Sequence, residues 1–261
     1  MARFFSAALS SLCFLVVPRI RALKAAPADS SDLDCTCLNW ADVYRNRGVF
    51  CGQGMELYSV LTASNVSMPE DPRSALSLAR METVSPAFQA QLVKSMAYFE
   101  LCTTFFQRAN FNYCVNKHFN AGTEQLKHSA SRGSWCYVDA RCKLPGVAPI
   151  RGTGVAAKSC TAGGLDFPLA DVPIGLTAEL GRLQGLDPNF IAGHANAHLD
   201  MTVGEVTQPM LEAIQASGQS TFVWSNRDPL APRMIVRGKE VWGHMFNATS
   251  IEWTADCLRN C

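Results

Sequence analysis

The sequence predicts an α+β protein in two regions: an N-terminal one stapled by disulfides, and a C-terminal one whose helices close on a short sheet. Three observations lead there. Eight of the eleven cysteines fall between Cys35 and Cys160, and beyond them stand Cys257 and Cys261 at the end of the chain. Between residues 85 and 106 apolar residues recur at spacings of three and four, a helical period. After residue 220 the period becomes two, the signature of strands, and helices followed by a hairpin imply an α+β arrangement.

With 261 residues, 48% hydrophobic and 17% charged, the chain is long enough for one sizeable core or two small ones. A formal net charge of +1 excludes a strongly basic nucleic-acid binder, and the apolar content excludes a disordered tail. No internal repeat is visible.

The first segment, residues 1–22, carries Arg3 and then the apolar run FFSAALSSLCFLVV, with Ala22 as a small residue for cleavage. That length suits a secretory signal and falls short of the about 20 apolar residues of a spanning helix. An uncleaved anchor or an organelle transit peptide is the alternative. Cleavage would remove three of the 23 basic residues (Arg3, Arg19, Arg21) and none of the 22 acidic ones, giving a mature net charge of −2. Neither nucleic acid nor a membrane span is then expected among the partners of the mature chain. Cys13 would leave too, so that ten cysteines remain, an even number that suits up to five disulfides whose connectivity stays open. These are Cys35, Cys37, Cys51, Cys102, Cys114, Cys136, Cys142, Cys160, Cys257 and Cys261. The sequons at Asn65 and Asn247 fit the same compartment.

Residues 23–34 read as a polar linker, residues 35–160 as the cysteine-rich region and residues 161–261 as the α+β region. LNWADVYRNRG predicts a short helix stopped by Gly48. Ser85 and Pro86 open the strongest helix, whose stripe Phe88, Leu92, Met96, Phe99, Cys102 and Phe106 puts Cys102 on a buried face, as a structural bridge requires. GSWCYVDARC reads as a short strand or tight loop, and the glycine-rich residues 143–165 read as an irregular connection. Asp187-Pro188 opens a helix with Phe190, Ile191, His194 and His198 on one face; Pro209 opens another, ended by Gly218. TFVWS, RMIV and EVW read as strands, the last two joined across Arg237-Gly238-Lys239, and a closing helix is expected from about Ala248 to Leu258.

Several patterns could carry chemistry. His194 and His198, four apart with Asp200 beyond, have metal-ligand spacing, with His244 a distant third ligand; Ala195 stands where a zinc hydrolase carries its glutamate, so core histidines and no metal are expected. Cys35-x-Cys37 could form a tight redox pair, but in a framework such neighbours bridge to distant partners. Gly154-Val-Ala-Ala-Lys158-Ser159 ends like a phosphate loop without its glycine before the lysine. Among Trp40, Trp135, Tyr137, Trp224, Trp242 and Trp253, the pair Trp135 and Tyr137 shares one strand face and is the candidate binding surface.

Cys35-Thr-Cys37-Leu-Asn-Trp40, Cys51-Gly-Gln-Gly54, Cys114-Val-Asn and Trp135-Cys136-Tyr-Val-Asp-Ala-Arg-Cys142 together resemble uncharacterised, secreted cysteine-rich proteins of alveolate protists over residues 35–160. That resemblance implies a secreted, disulfide-bonded module and no activity. Trp-Cys-Tyr is also similar to kringle and fibronectin type II modules, but the gap from Cys51 to Cys102 is too long for them. Ala231-Pro232-Arg-Met-Ile-Val-Arg-Gly-Lys239-Glu-Val-Trp242 resembles the end of a thioredoxin-like domain, which implies a final helix; HANAH is similar to lysosomal thiol reductases. Without a Cys-x-x-Cys pair, such a relative would be redox-inactive. The expectation is a secreted or luminal protein- or glycan-binding module without catalysis or cofactor. The alternatives are a thiol-disulfide or metal-dependent enzyme, and a structural wall or matrix component.

Overall fold

The computed structural model describes residues 34–56, 101–117, 133–161, 166–225, 227–228, 231–247 and 252–261. The expected leader, Asn65 and the helix from Ser85 to Phe99 lie outside them. The fold is α+β, as the periodicities require.

Helix α1 spans Trp40–Asn46, where Asn39 caps the first turn by accepting from the backbone N–H of Asp42, and it buries Trp40, Ala41 and Val43. Facing it is a π-helical turn, Leu101–Phe106, which buries Leu101, Cys102, Phe105 and Phe106. The first sheet consists of β1 (Val115–Asn116), β2 (Ser134–Asp139), β3 (Ala148–Pro149) and β4 (Val155–Ser159). All its pairs are antiparallel, in the order β1-β2-β4-β3. Residues 143–165 therefore include two strands where an irregular connection is expected. Val-Ala-Ala-Lys-Ser has weak strand propensity, but β4 finds a partner on each side, and its small alanines pack between layers.

Helices α2 (Ile174–Gln184) and α3 (Pro188–Ala195) follow, α3 capped by the Asp187 carboxylate. The second sheet has the order β5-β6-β7-β8-β9, built from Ala197–Leu199, Thr221–Val223, Arg233–Arg237, Glu240–Asn247 and Glu252–Arg259. β5 and β6 are parallel, joined through α4 (Gln208–Ser217), and the other pairs are antiparallel. At the β7–β8 turn, Gly238 takes φ 55°, the left-handed conformation a two-residue hairpin asks of its first residue.

Strand alternation sorts this sheet into two faces. Val223, Met234, Val236 and Val241 pack with Ile214 of α4 on one, while Phe222 and Ile235 pack with Ile174 and Ala192 of α2 and α3 on the other. The largest core forms around Trp40, Phe105, Phe106, Trp135 and Tyr137, and it also takes Leu169, Val172, Leu186, Ile191 and Ala195.

Two expectations fail here for identifiable reasons. The closing helix from Ala248 to Leu258, which the thioredoxin-like resemblance also implies, is instead β9, paired to β8 from Asn247↔Glu252 to Val241↔Arg259. Helix-favouring Ala, Glu and Leu misdirect the reading, because β8 would otherwise present an unpaired edge to which the alternating Thr254, Ala255, Asp256 and Cys257 can pair. His198 does not continue the face of α3: that helix stops at Ala195 with Asn196 extended, and His198 belongs to β5.

All ten cysteines among the described residues are bridged: Cys35–Cys142, Cys37–Cys136, Cys51–Cys102, Cys114–Cys160 and Cys257–Cys261. The buried Cys102 ties the π-helical turn to the segment after α1. Replacing it, as Cys102→Ser, opens a bridge with a sequence separation of 51 and is expected to destabilise the fold by about 2–5 kcal/mol. Secretion yield and melting under non-reducing conditions measure this, and an unchanged melting temperature would refute it.

Candidate functional site

β2 is buried on both faces, and each face builds a different constellation. Trp135 and Tyr137 point to one side, where their rings lie 4.8 Å and 5.4 Å from that of Trp40 and 4.9 Å from one another. Both are fully buried, so this pair has no ring face open to a sugar or a partner. The same alternation that puts the two rings on one side turns that side into the core. Glu56 is sealed in beside them: its Oε1 accepts from Tyr44 Oη (2.7 Å) and Tyr137 Oη (2.5 Å), its Oε2 from the N–H of Gly54 (2.9 Å). Burial pushes this carboxyl up against those three donors, and burial beside Glu56 lifts both phenols well above their ordinary range. The group anchors the loop after Cys51 to β2.

On the opposite face the register places Cys136 directly across from Lys158, and one residue beyond Val115↔Trp135 brings Cys114 to the same level on the β1 side. The bridges Cys37–Cys136 and Cys114–Cys160 therefore touch, with 3.4 Å between the Sγ atoms of Cys37 and Cys114. All four sulfurs lie within 4.8 Å of one another. Lys158 runs beside them to a buried ion pair with Asp166, donating also to the carbonyl of Cys35 at 2.7 Å. The Asp166 carboxylate accepts from the N–H of Thr161 as well. The would-be phosphate loop ending at Lys158-Ser159 is thus strand, with its backbone engaged in the sheet and its lysine in an ion pair. Cys35 and Cys37 bridge to separate distant partners rather than to each other.

The histidines of HANAH part company at the end of α3. His194 stacks on Phe105 at 4.3 Å, and its Nδ1–H donates to the carbonyl of Phe190 at 2.7 Å. His198 Nε2–H donates to the carbonyl of Trp224, 2.7 Å away. A carbonyl only accepts, so each ring is held as the tautomer that donates to it. Burial pulls His194 down to about 4 and lowers His198; in β8, burial and the nearby Arg233 cation pull His244 down to about 3.

Because the folded pKa of His194 lies below that of the free side chain, the unfolded chain binds its proton first as pH falls. Stability is present above pH 6.5 and lost between 6.5 and about 4. His194 accounts for about 3 kcal/mol of that loss. Urea unfolding across this window should show a steeper acid decline for the wild type than for His194→Gln.

His244 also borders a cleft between α2, α3 and the sheet, walled by Ile174, Ile191, Ala192 and Ile235, of about 300 Å³ counting its open mouth. Arg237 reaches its wall, with Nη1 donating to the carbonyl of Val172 at 2.8 Å and Nε to Ser220 Oγ. On the same α2, Leu176 and Leu183 stand 53% and 67% exposed, seven residues apart and so on one helix face. The sequence pattern predicts no helix over these residues and singles out neither leucine. Among the described residues no helix is long and apolar enough to cross a membrane.

No protein-family model matches the chain, and no curated protein or solved structure shows significant similarity to it.

Proposed function

We propose that this chain is a secreted or luminal, N-glycosylated binding module without catalysis, and that its ligand is a protein which docks on α2. The disulfide framework supports an oxidising compartment, where such bridges persist. One observation carries the binding reading: Leu176 and Leu183 leave an apolar stripe of α2 uncovered while its other face is packed in the core. Apolar side chains aligned on one helix face suit a protein partner, whereas a glycan would need open aromatic rings, and Trp135 and Tyr137 are sealed.

A photo-crosslinker placed at Leu183 tests this. Saturable capture of one partner is expected, weakened at least about tenfold by Leu176→Glu and unchanged by Leu144→Glu, an exposed leucine elsewhere. Equal capture by all three proteins, or a glycan-array signal indifferent to the α2 substitution, would reject the reading.

A further inference from the structure

The geometry points to a second state of the four-sulfur cluster: once its two bridges are reduced, Cys37, Cys114, Cys136 and Cys160 bind one Zn²⁺ as a tetrathiolate site.

The four donors come from four separate segments: the loop before α1, the start of β1, the middle of β2 and the end of β4. The backbone pairs Val115↔Trp135 and Trp135↔Ser159 of the first sheet position three of them. In a tetrahedral zinc site with Zn–S near 2.3 Å, the sulfurs stand about 3.8 Å apart. Here all four already lie within 4.8 Å, and two that are not bonded together approach to 3.4 Å. Conversion between two disulfides and one metal site thus asks for side-chain movements and no rearrangement of the strands. Either clamp ties the same four segments together.

The charges are workable. Zn²⁺ with four thiolates carries −2, and the Lys158–Asp166 pair beside it, neutral as a unit, has its lysine directly across from Cys136. Asp166 Oδ1, 4.0 Å from Cys37 Sγ, opposes a thiolate there but is already engaged by Lys158. Cys37, Cys114 and Cys136 are buried and Cys160 is half-buried, so Cys114–Cys160 offers a reductant its point of entry.

Each disulfide takes up two electrons and two protons to give two thiols, and a dithiol reductant supplies both as it closes to its own disulfide. In the test a trialkylphosphine replaces it: phosphorus is oxidised to the phosphine oxide, one water providing the oxygen and the two protons for each bridge. Zn²⁺ then displaces the four thiol protons to solvent.

The full mature chain, purified with its bridges intact, is treated with a trialkylphosphine under nitrogen and titrated with Co²⁺ as a spectroscopic stand-in. One Co²⁺ per chain with the visible bands of tetrahedral thiolate coordination is expected, displaced by Zn²⁺. X-ray absorption of the Zn²⁺ form should show four sulfurs at about 2.3 Å. The bands should disappear in Cys114→Ser/Cys160→Ser and persist in Cys257→Ser/Cys261→Ser. Absence of the bands, a mixed oxygen or nitrogen shell, or bands unaffected by Cys114→Ser/Cys160→Ser would overturn the inference. Should that variant fail to fold, the sulfur count on the unsubstituted chain decides.

Discussion

Lys158→Met is expected to lower stability by about 3–5 kcal/mol, because it leaves the Asp166 carboxylate buried without its counter-charge. The two side chains are 5% and 4% exposed, so water cannot replace the lost ammonium. The Cys35 carbonyl loses its donor at the same stroke, which loosens the loop carrying both Cys35 and Cys37. The double variant Lys158→Met/Asp166→Leu separates the effects. It removes both charges together, and because the pair's attraction only partly exceeds its desolvation cost, it should be markedly less destabilised than the single variant. Urea unfolding under non-reducing conditions provides the comparison. If the double variant is as unstable as the single one, the Lys158–Asp166 pair is not what stabilises this corner.

Trp135→Ala should cost about as much, roughly 3–5 kcal/mol, for an unrelated reason: it opens a cavity where Trp40, Phe106 and Tyr137 meet. Trp135→Phe keeps most of the ring area. The indole N–H has no hydrogen-bond partner among the described residues, so its loss leaves nothing unsatisfied, and this variant should be much milder. Binding to a partner on α2 should survive Trp135→Phe unchanged. Affinity that falls while melting holds would instead make Trp135 part of a contact surface and refute its assignment to the core.

How far the sequence could be read depends on the range over which each feature is decided. The short helix within LNWADVYRNRG, the start of α3 at Asp187-Pro188, the Gly218 stop of α4 and the hairpin at Gly238 rest on interactions a few residues long, and each stands where the residues put it. The ten cysteines from Cys35 onward suited up to five bridges, and the structure pairs all ten of these described cysteines. The candidate site was less legible. Alternation in Trp135-Cys136-Tyr137 correctly put the two rings on one face, but alternation is silent on whether that face meets water or α1. HANAH has the spacing of a helix face, yet α3 ends between its histidines.

By itself, then, the sequence determined the α+β class, the two regimes of period, the turns and caps, and the commitment of its cysteines to a framework. Only the tertiary structure decided which cysteines pair, that residues 252–259 complete a sheet rather than a helix, and that Trp135, Tyr137 and Lys158 are interior while Leu176 and Leu183 are not. The physical reason is separation along the chain. Cys37 meets Cys136 across 99 residues, and Lys158 reaches the Cys35 carbonyl across 123. Such contacts follow from which layers pack together, a choice made by burial summed over the whole chain and not by any local pattern.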